Sequence, residues 1–319
     1  MIAYGPVPSR RLGHSLGINN IPAKVCSYDC VYCQIGPTTV FRDAPRPFFP
    51  PDKIHGEVSL KIRQARDHGE PIDYLTFVSD GEPTLDENLG QTIELLQTLG
   101  IKIGVISNSS LIWSSAVRNN LARADWVSLK LDVFEETVWQ RINRPHENLR
   151  LSKILEGMQV FAQDYPGKLV TETMLVQGVN DQGQMGGVAE FISSLDPAVA
   201  YLSAPTRPPA CSWVRAPDEK FIHQAYQILK TKIPNVELLL GDEGDAFAFT
   251  GNIENDVMSI TAVHPMREDA LTSLLRKAGA SWDIIEKMIQ EGKILKLRHH
   301  ATNFYMRRLH CRVPVGSKP

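Results

Sequence analysis

Along the first 235 residues, short apolar runs alternate with longer amphipathic ones. The runs SLGINNI (15–21), DYLTFV (73–78), KIGVIS (102–107), DWVSLKL (125–131), KLVTETMLV (168–176) and AYLSA (200–204) are rich in Val, Ile and Leu. Strands buried on both faces read this way, without the strict polar alternation of a half-exposed sheet. Between them lie segments with apolar residues at helical spacing: PDKIHGEVSLKIRQARDHG, ENLGQTIELLQTLG, SSAVRNNLARA, LSKILEGMQVFAQDY and QMGGVAEFISSL, with PDEKFIHQAYQILKTK (217–232) after the last strand. Six strand–helix units in a row predict a parallel α/β sheet, open or curled into a partial barrel.

The pattern changes after about residue 240. GDEGDAFAFTGN is rich in Gly and Asp, and the stretch 241–258 reads as a linker. HPMREDALTSLLRKAG predicts a helix stopped at Gly279. SWDIIEKMIQEG predicts a second, with Ser281 as N-cap and Gly292 as stop. GKILKLRHH and NFYMRRLH alternate as two strands around a short turn. Two helices and then a hairpin outline a small winged-helix-like domain over 259–312, leaving 1–240 for the barrel and 313–319 as a tail. Charge divides in the same place. Residues 255–319 hold 11 Lys and Arg against 6 Asp and Glu; the remainder holds 23 against 30. The basic residues gather in 293–312, with Phe304 and Tyr305 among them. Such a run is either a solvated hairpin or a nucleic-acid contact surface.

With 319 residues and 43% hydrophobic content, the chain can bury one large core, or a large and a small one. Its net charge of -2 gives no global field that favours nucleic acid or membrane. The opening MIAYGPVPSRRLGHSLG lacks the apolar stretch of a signal peptide. No apolar run reaches the about 18 residues of a membrane span. The expected compartment is the cytoplasm, where thiols stay reduced and clustered cysteines indicate metal or redox chemistry.

The stretch 25-VCSYDCVYCQIG-36 carries three of the five cysteines, Cys26, Cys30 and Cys33, spaced C-x3-C-x2-C. Thiolates are the usual ligands of iron–sulfur clusters, and a cubane needs four. Three protein ligands leave one iron open, and an open position separates a reactive metal centre from a structural one. Structural zinc would need a fourth ligand, and the nearest histidines, His14 and His55, lie 12 and 22 residues away. A disulfide would pair two of the three and sit badly in a reducing compartment. The loop follows the first predicted strand, and sites in barrel-like α/β folds form at the C-terminal ends of strands.

With Tyr32 before the last cysteine, this motif resembles the signature of the radical S-adenosylmethionine (radical SAM) superfamily. The resemblance covers roughly residues 1–235. It implies a partial (β/α)6 TIM-like barrel with a [4Fe-4S] cluster held by Cys26, Cys30 and Cys33. SAM would chelate the open iron through its amino and carboxylate groups. An electron from the cluster, supplied by a flavodoxin- or ferredoxin-like donor, would cleave SAM to methionine and a 5'-deoxyadenosyl radical. That radical would take hydrogen from the substrate, while the protein supplies position and a water-poor cavity.

The resemblance extends motif by motif. In 79-SDGEP-83, Asp80, Gly81 and Glu82 stand where the superfamily has a Gly-Gly-Glu-like motif that meets the methionine amino group; Asp80 replaces the first glycine. Ser107 and Asn108, in 107-SNSS-110, stand where the family meets the ribose or carboxylate of SAM, or else cap the next helix. Lys130 and Asp132 in VSLKLD are SAM contacts or a charge pair at a strand end. Val176 and Val179, in 174-MLVQGVND-181, would lie against adenine, which Tyr32 would also face. Arg144 and Arg207 could pair with a carboxylate or phosphate, or be ordinary surface arginines. Cys211 and Cys311 alone cannot hold a second cluster.

Within the superfamily, 5-GPVPSRRLGHSLGIN-19 and SDGEPTL resemble a subgroup grouped with wyosine-type tRNA-modifying enzymes. Three readings follow. The enzyme acts on RNA delivered by the basic C-terminal domain, with its aromatics as stacking surfaces. It acts on a peptide or protein added as a strand to the wing. Or it is an iron–sulfur regulator that reads DNA, which would need neither the full run of barrel units nor SDGEP.

Overall fold

The computed structural model describes residues 2–180, 183–241, 244–299 and 301–308. A hairpin of β1 (Ala3–Ser9) and β2 (Gly13–Ile18) opens the chain. The cysteine loop follows, bracketed by the short parallel pair β3 (Val25–Cys26) and β4 (Val40–Phe41). Then come α1 (Pro51–Asp67), β5 (Tyr74–Phe77), α2 (Leu89–Gln97), β6 (Lys102–Ser107), α3 (Ser115–Leu121) and β7 (Trp126–Lys130). Helices α4 (Glu136–Ile142) and α5 (Leu151–Asp164) precede β8 (Lys168–Met174), α6 (Met185–Ser194), β9 (Val199–Ser203), α7 (Glu219–Lys230) and β10 (Val236–Leu239).

Eight of these strands form one sheet in the order β1-β2-β5-β6-β7-β8-β9-β10, curled into a partial barrel. Only β1 and β2 run antiparallel; the other neighbours are parallel, as β–α crossovers require. All six predicted strands are present, within two residues at each end except where the first stops short, at Ile18. Leu16, Ile18, Leu75, Phe77, Ile103, Val105, Val127 and Leu129 are buried, which is why these runs read as continuously apolar.

The stretch after 240 departs from the expected linker. Phe247 and Ala248 are buried, and the Ala248 N–H donates to Pro6 O on β1 at 3.0 Å. Helix α8 (Ile253–Val263) then begins inside the supposed linker. It is followed by β11 (Met266–Arg267), α9 (Glu268–Lys277), α10 (Asp283–Gln290), β12 (Ile294–His299) and β13 (Thr302–Arg307). The sheet order is β11-β13-β12. Gly279 and Gly292 do stop their helices, both at positive φ (62° and 68°). Ser281 is not the N-cap of α10; its hydroxyl bonds the Asp283 carboxylate, and Trp282 occupies the cap position. The tail 313–319, Cys311 and the end of the 259–312 span lie outside the described residues.

The C-terminal unit shares its core with β1: Tyr4 and Val7 pack with Val257, Ile260, Leu271, Met288 and Tyr305. A buried ion pair ties it to α1. Lys61 Nζ lies 2.8 Å from Asp256 Oδ1 and 2.6 Å from Thr250 Oγ1, and Asp256 also accepts the Thr250 N–H at 2.8 Å. Lys61→Met leaves that carboxylate buried without its cation and is expected to cost about 3–5 kcal/mol. Denaturant unfolding measures this; a loss below about 1 kcal/mol would contradict a buried, uncompensated Asp256.

Candidate active site

The cysteine loop is fixed by its own backbone and by three side chains, two of them distant in sequence. Lys24 adopts φ 61°, and its N–H donates to Asp80 O at 2.8 Å. The Cys33 N–H donates to Cys30 O at 3.0 Å. Each sulfur then receives an N–H donor from a side chain. Asn108 Nδ2 lies 3.6 Å from Cys26 Sγ, Asn143 Nδ2 lies 3.5 Å from Cys30 Sγ, and Lys24 Nζ lies 3.5 Å from Cys33 Sγ. Such donors stabilise thiolate ligands and tune a cluster's potential. Without metal, burial and the neighbouring Cys30 push the Cys26 thiol far up, and burial with Asp132 pushes Cys30 to about 12. Both are held as thiols until a metal displaces their protons.

Among the described residues, no three His, Cys, Asp or Glu side chains converge on a single ion, as zinc requires. Three neighbouring half-buried thiols, each with its own N–H donor, suit a cluster that spreads its ligands over separate irons. The residues present therefore fit a [4Fe-4S] group.

The SDGEP turn holds the loop from below. Gly81 is there because no side chain fits: a Cβ would stand 1.9 Å from Val25 O. The Glu82 carboxylate is spent on the chain itself. Oε1 accepts from Thr84 N at 3.0 Å, Thr84 Oγ1 at 2.6 Å and Ser107 Oγ at 2.8 Å, and Oε2 accepts the Asn108 N–H at 2.7 Å. Burial still raises its pKa. Ser107 and Asn108 thus join Glu82 to Cys26, and 107-SNSS-110 does not cap a helix, since α3 begins at Ser115 with Ser114 at its cap. Asp80 differs from Glu82: its Oδ1 is buried without a partner. Burial raises it to about 7, with Arg307 and Lys24 pulling the other way.

The folded state therefore keeps the Asp80 proton that an unfolded chain, with an ordinary Asp, has released by about pH 5. This contribution is destabilising: stability falls as pH rises between those two values and stays low above them. Asp80→Asn is expected to raise the melting midpoint at about pH 9 and leave it unchanged at about pH 4. An equal effect at both would show that Asp80 is not titrating in the fold.

Tyr32, Asp132 and Cys30 meet through Asn143. The Tyr32 hydroxyl and Asn143 Nδ2 (2.7 Å) both donate to Asp132 Oδ2, while Asp132 Oδ1 accepts the Met174 N–H at 2.9 Å. Lys130 Nζ sits 4.7 Å from the Tyr32 ring centroid and 3.4 Å from Glu172 Oε1. Burial alone would raise the Glu172 carboxyl, but Lys130 and Arg11 bring it down to about 2. It is ionised between two cations.

A cavity of about 260 Å³ lies inside the curl of the sheet. Tyr32 and Cys33 line it from the loop, Lys130 from β7, Glu172 and Met174 from β8, with Arg10, Arg11 and Arg207 around them. Of the sequence-predicted SAM contacts, Tyr32 and Lys130 line it. Glu82, Ser107, Asn108 and Asp132 brace the cysteine loop, and Val176 and Val179 are buried in the barrel core. Arg144 is half-exposed, 3.8 Å from Asp29; its neighbour Asn143 is the residue that reaches a cysteine. Sequence reasoning also passed over Lys24, Arg10, Arg11 and Glu172. Lys24, two residues before Cys26, was the one with a local signal.

This half-barrel, with three thiols on one loop and one of them, Cys33, on the wall of a cavity, is that of a radical SAM enzyme. The chain belongs to the Radical SAM superfamily, which it matches over residues 20–185. It is 46% identical to the UPF0026 protein MJ1312 of Methanocaldococcus jannaschii over 321 residues, 100% of this chain and 99% of that one. It is 38% identical to the UPF0026 protein slr1464 of Synechocystis over 207 residues, 64% of this chain and 76% of that one. Among solved structures, TYW1 with a lysine-pyruvate adduct bound has TM-score 0.56 at 15% identity, covering 75% of this chain and 80% of that one. That likeness speaks for the fold.

Proposed function

We propose that this radical SAM enzyme abstracts hydrogen from an RNA base admitted between the barrel and the C-terminal unit. The observation that carries the reading is a pair of adjoining cavities with wall residues in common, the second of about 30 Å³. The barrel cavity shares Thr206, Arg207 and Gly241 with a smaller one lined by His264, Arg267 and Phe304 of the C-terminal unit. When bound, the cluster supplies the electron that cleaves SAM. Cys26, Cys30 and Cys33 would hold it, Lys24, Asn108 and Asn143 orient their sulfurs, and Tyr32 with the partly buried Met174 lines the cavity beside Cys33. A flavodoxin- or ferredoxin-like protein would deliver the electron.

One support expected from sequence is lost. Phe304 and Tyr305 are buried, and the Tyr305 hydroxyl donates to Glu268 Oε2 at 2.7 Å, so neither is an open stacking platform. Much of the basic run is also paired: Lys296 with Glu268 at 3.3 Å, and Lys293 with Glu291 at 2.6 Å. RNA would be met by the two adjoining cavities rather than by the hairpin surface. A peptide substrate is the second reading, favoured by the position of β12 as an outer strand that could accept an added one.

The test is anaerobic. The cluster is reconstituted and reduced with dithionite, and 5'-deoxyadenosine is quantified with and without bulk tRNA. Stimulation by tRNA that fades steeply with salt is expected. SAM cleavage indifferent to tRNA would overturn the RNA reading.

A further inference from the structure

The three side chains that donate to the cysteine sulfurs are not equivalent. Asn108 and Asn143 are neutral amides with other acceptors to serve. Asn108 Nδ2 also donates to Ser27 Oγ at 3.1 Å, and Asn143 Nδ2 to Asp132 Oδ2 at 2.7 Å. Lys24 carries a full charge. It is 4% exposed. Its ammonium bonds Cys33 Sγ at 3.5 Å and the carbonyl of Gly36. Among the described residues no carboxylate pairs with it. Asp80 feels its charge at longer range, without an ion pair between them.

The backbone at Lys24 adds a second observation. Its φ of 61° lies in the left-handed region, which glycine enters freely and a lysine does not. The main chain holds it there. Its N–H donates to Asp80 O at 2.8 Å, and its carbonyl accepts the Thr39 and Val40 N–H groups at 3.2 and 3.1 Å. Glycine would suit this turn better. What lysine adds at this strained position is its side chain.

A buried cation is costly unless an anion reaches it. The anion within reach of Lys24 is the Cys33 thiolate, which forms when iron displaces the thiol proton. Each electron that enters the ligated iron adds negative charge beside the ammonium. A fixed cation at hydrogen-bond distance, shielded from salt by burial, favours the more negative, reduced form. The two amides act in the same direction but more weakly, since a charged donor makes a bond roughly twice as strong.

We infer that Lys24 is the counter-ion of the Cys33 ligand and raises the reduction potential of the iron–sulfur centre, bringing it within reach of a biological one-electron donor. Lys24 does not line the cavity, so it is a positioning residue that acts through Cys33. The inference rests on the three-thiol assignment and is independent of what the substrate is.

The experiment compares wild type with Lys24→Arg, Lys24→Gln and Lys24→Met, each reconstituted anaerobically as the full chain without SAM. Arginine keeps the charge, glutamine keeps an N–H donor without charge, and methionine keeps only an apolar stem. Iron and sulfide are quantified, and the centre is titrated potentiometrically with electron paramagnetic resonance as the readout. Lys24→Arg should titrate near wild type. At the wild-type midpoint, the ratio of reduced to oxidised centres should fall about tenfold in Lys24→Gln, which for one electron is a shift of about 59 mV to more negative potential. Lys24→Met should shift at least as far. SAM cleavage driven by dithionite should fall in both, and titanium(III) citrate, a stronger reductant, should restore it; a displaced ligand would not be rescued this way. Loss of iron in the neutral variants but not in Lys24→Arg would equally support the counter-ion. Melting midpoints of the metal-free proteins report folding, and if Lys24→Met does not fold, Lys24→Gln carries the test. Neutral variants with full iron and the wild-type midpoint would overturn the inference. So would a Lys24→Arg protein that fails as completely as Lys24→Met, since the side chain would then act by its shape. A wild type without a four-iron centre would overturn the ligand assignment as well, whereas an unshifted midpoint in loaded protein removes the part of Lys24 alone.

Discussion

Replacing Cys30 with alanine is expected to reduce 5'-deoxyadenosine formation to the level of the reagents alone, and to leave the protein without an intact four-iron cluster. The half-buried loop holds three thiols, and a cubane that keeps one iron for SAM has no ligand to spare. The polar side chains beside Cys30, Asn143, Tyr32 and Asp132, are already bonded to one another. The substitution should leave the fold intact, because the turn rests on main-chain bonds, including the Val31 N–H to Ile142 O at 3.0 Å. Cys211→Ala is the matched control. Cys211 is a partly buried residue packed against the barrel core, and its N–H donates to Val31 O at 3.0 Å. It should keep full iron content and full SAM cleavage. The measurements are iron and sulfide content, the cluster's electron paramagnetic resonance after reduction, and product quantification. A Cys30→Ala protein with an intact, SAM-cleaving cluster would refute the three-thiol assignment, and loss of the cluster in Cys211→Ala would move a ligand to that residue.

The contrast between what was legible and what was not follows burial and distance along the chain. The inner strands announce themselves because both faces are covered, so nearly every position is apolar. The edge strands do not. β1 contains Pro6 and Pro8, which a ladder tolerates only at an edge, and its register shifts between Tyr4 and Val7. β10, at the other edge, exposes Glu237 and Leu238. Helix α4 has seven residues, too few for a clear period. The cysteines are legible because their ligand spacing is local. Their donors are not: Asn108 is 82 residues from Cys26 and Asn143 is 113 from Cys30, and only the curl of the sheet brings them together. Phe304 and Tyr305 misled in the opposite direction. β13 is the middle strand of its sheet, so a run that alternates like an exposed hairpin has both aromatics inside. Asp80 was legible only as a departure from the superfamily's glycine; its unpartnered oxygen is a property of the fold.

Gly81→Ala is expected to lower both stability and iron content, although Gly81 has no side chain with which to ligate iron. Its Cβ would fall 1.9 Å from Val25 O, 2.9 Å from Val25 C and 3.0 Å from Ile21 Cδ1. A flexible side chain could step aside, but a carbonyl of the main chain cannot move without taking its neighbours. The same Val25 oxygen accepts the Glu82 N–H at 3.2 Å. Displacing it breaks that bond, shifts Cys26 away from Asn108 and loosens the carboxylate that ties Ser107 to the turn. Overpacking against backbone costs about 1–3 kcal/mol or more. The strain falls on β3, a two-residue strand paired with the equally short β4. The expected protein is folded, with a lowered melting midpoint and less than a full complement of iron after reconstitution. Gly56→Ala separates this effect from glycine substitution in general. Gly56 lies in α1 with nothing within 4 Å of its would-be Cβ, and alanine there should stabilise by about 0.5–1 kcal/mol. If Gly81→Ala melts like wild type and loads its iron fully, the close approach of the SDGEP turn to the cysteine loop is not what sets the ligand geometry. If both readouts fall together while Gly56→Ala improves, the turn is the platform on which the three thiols are placed.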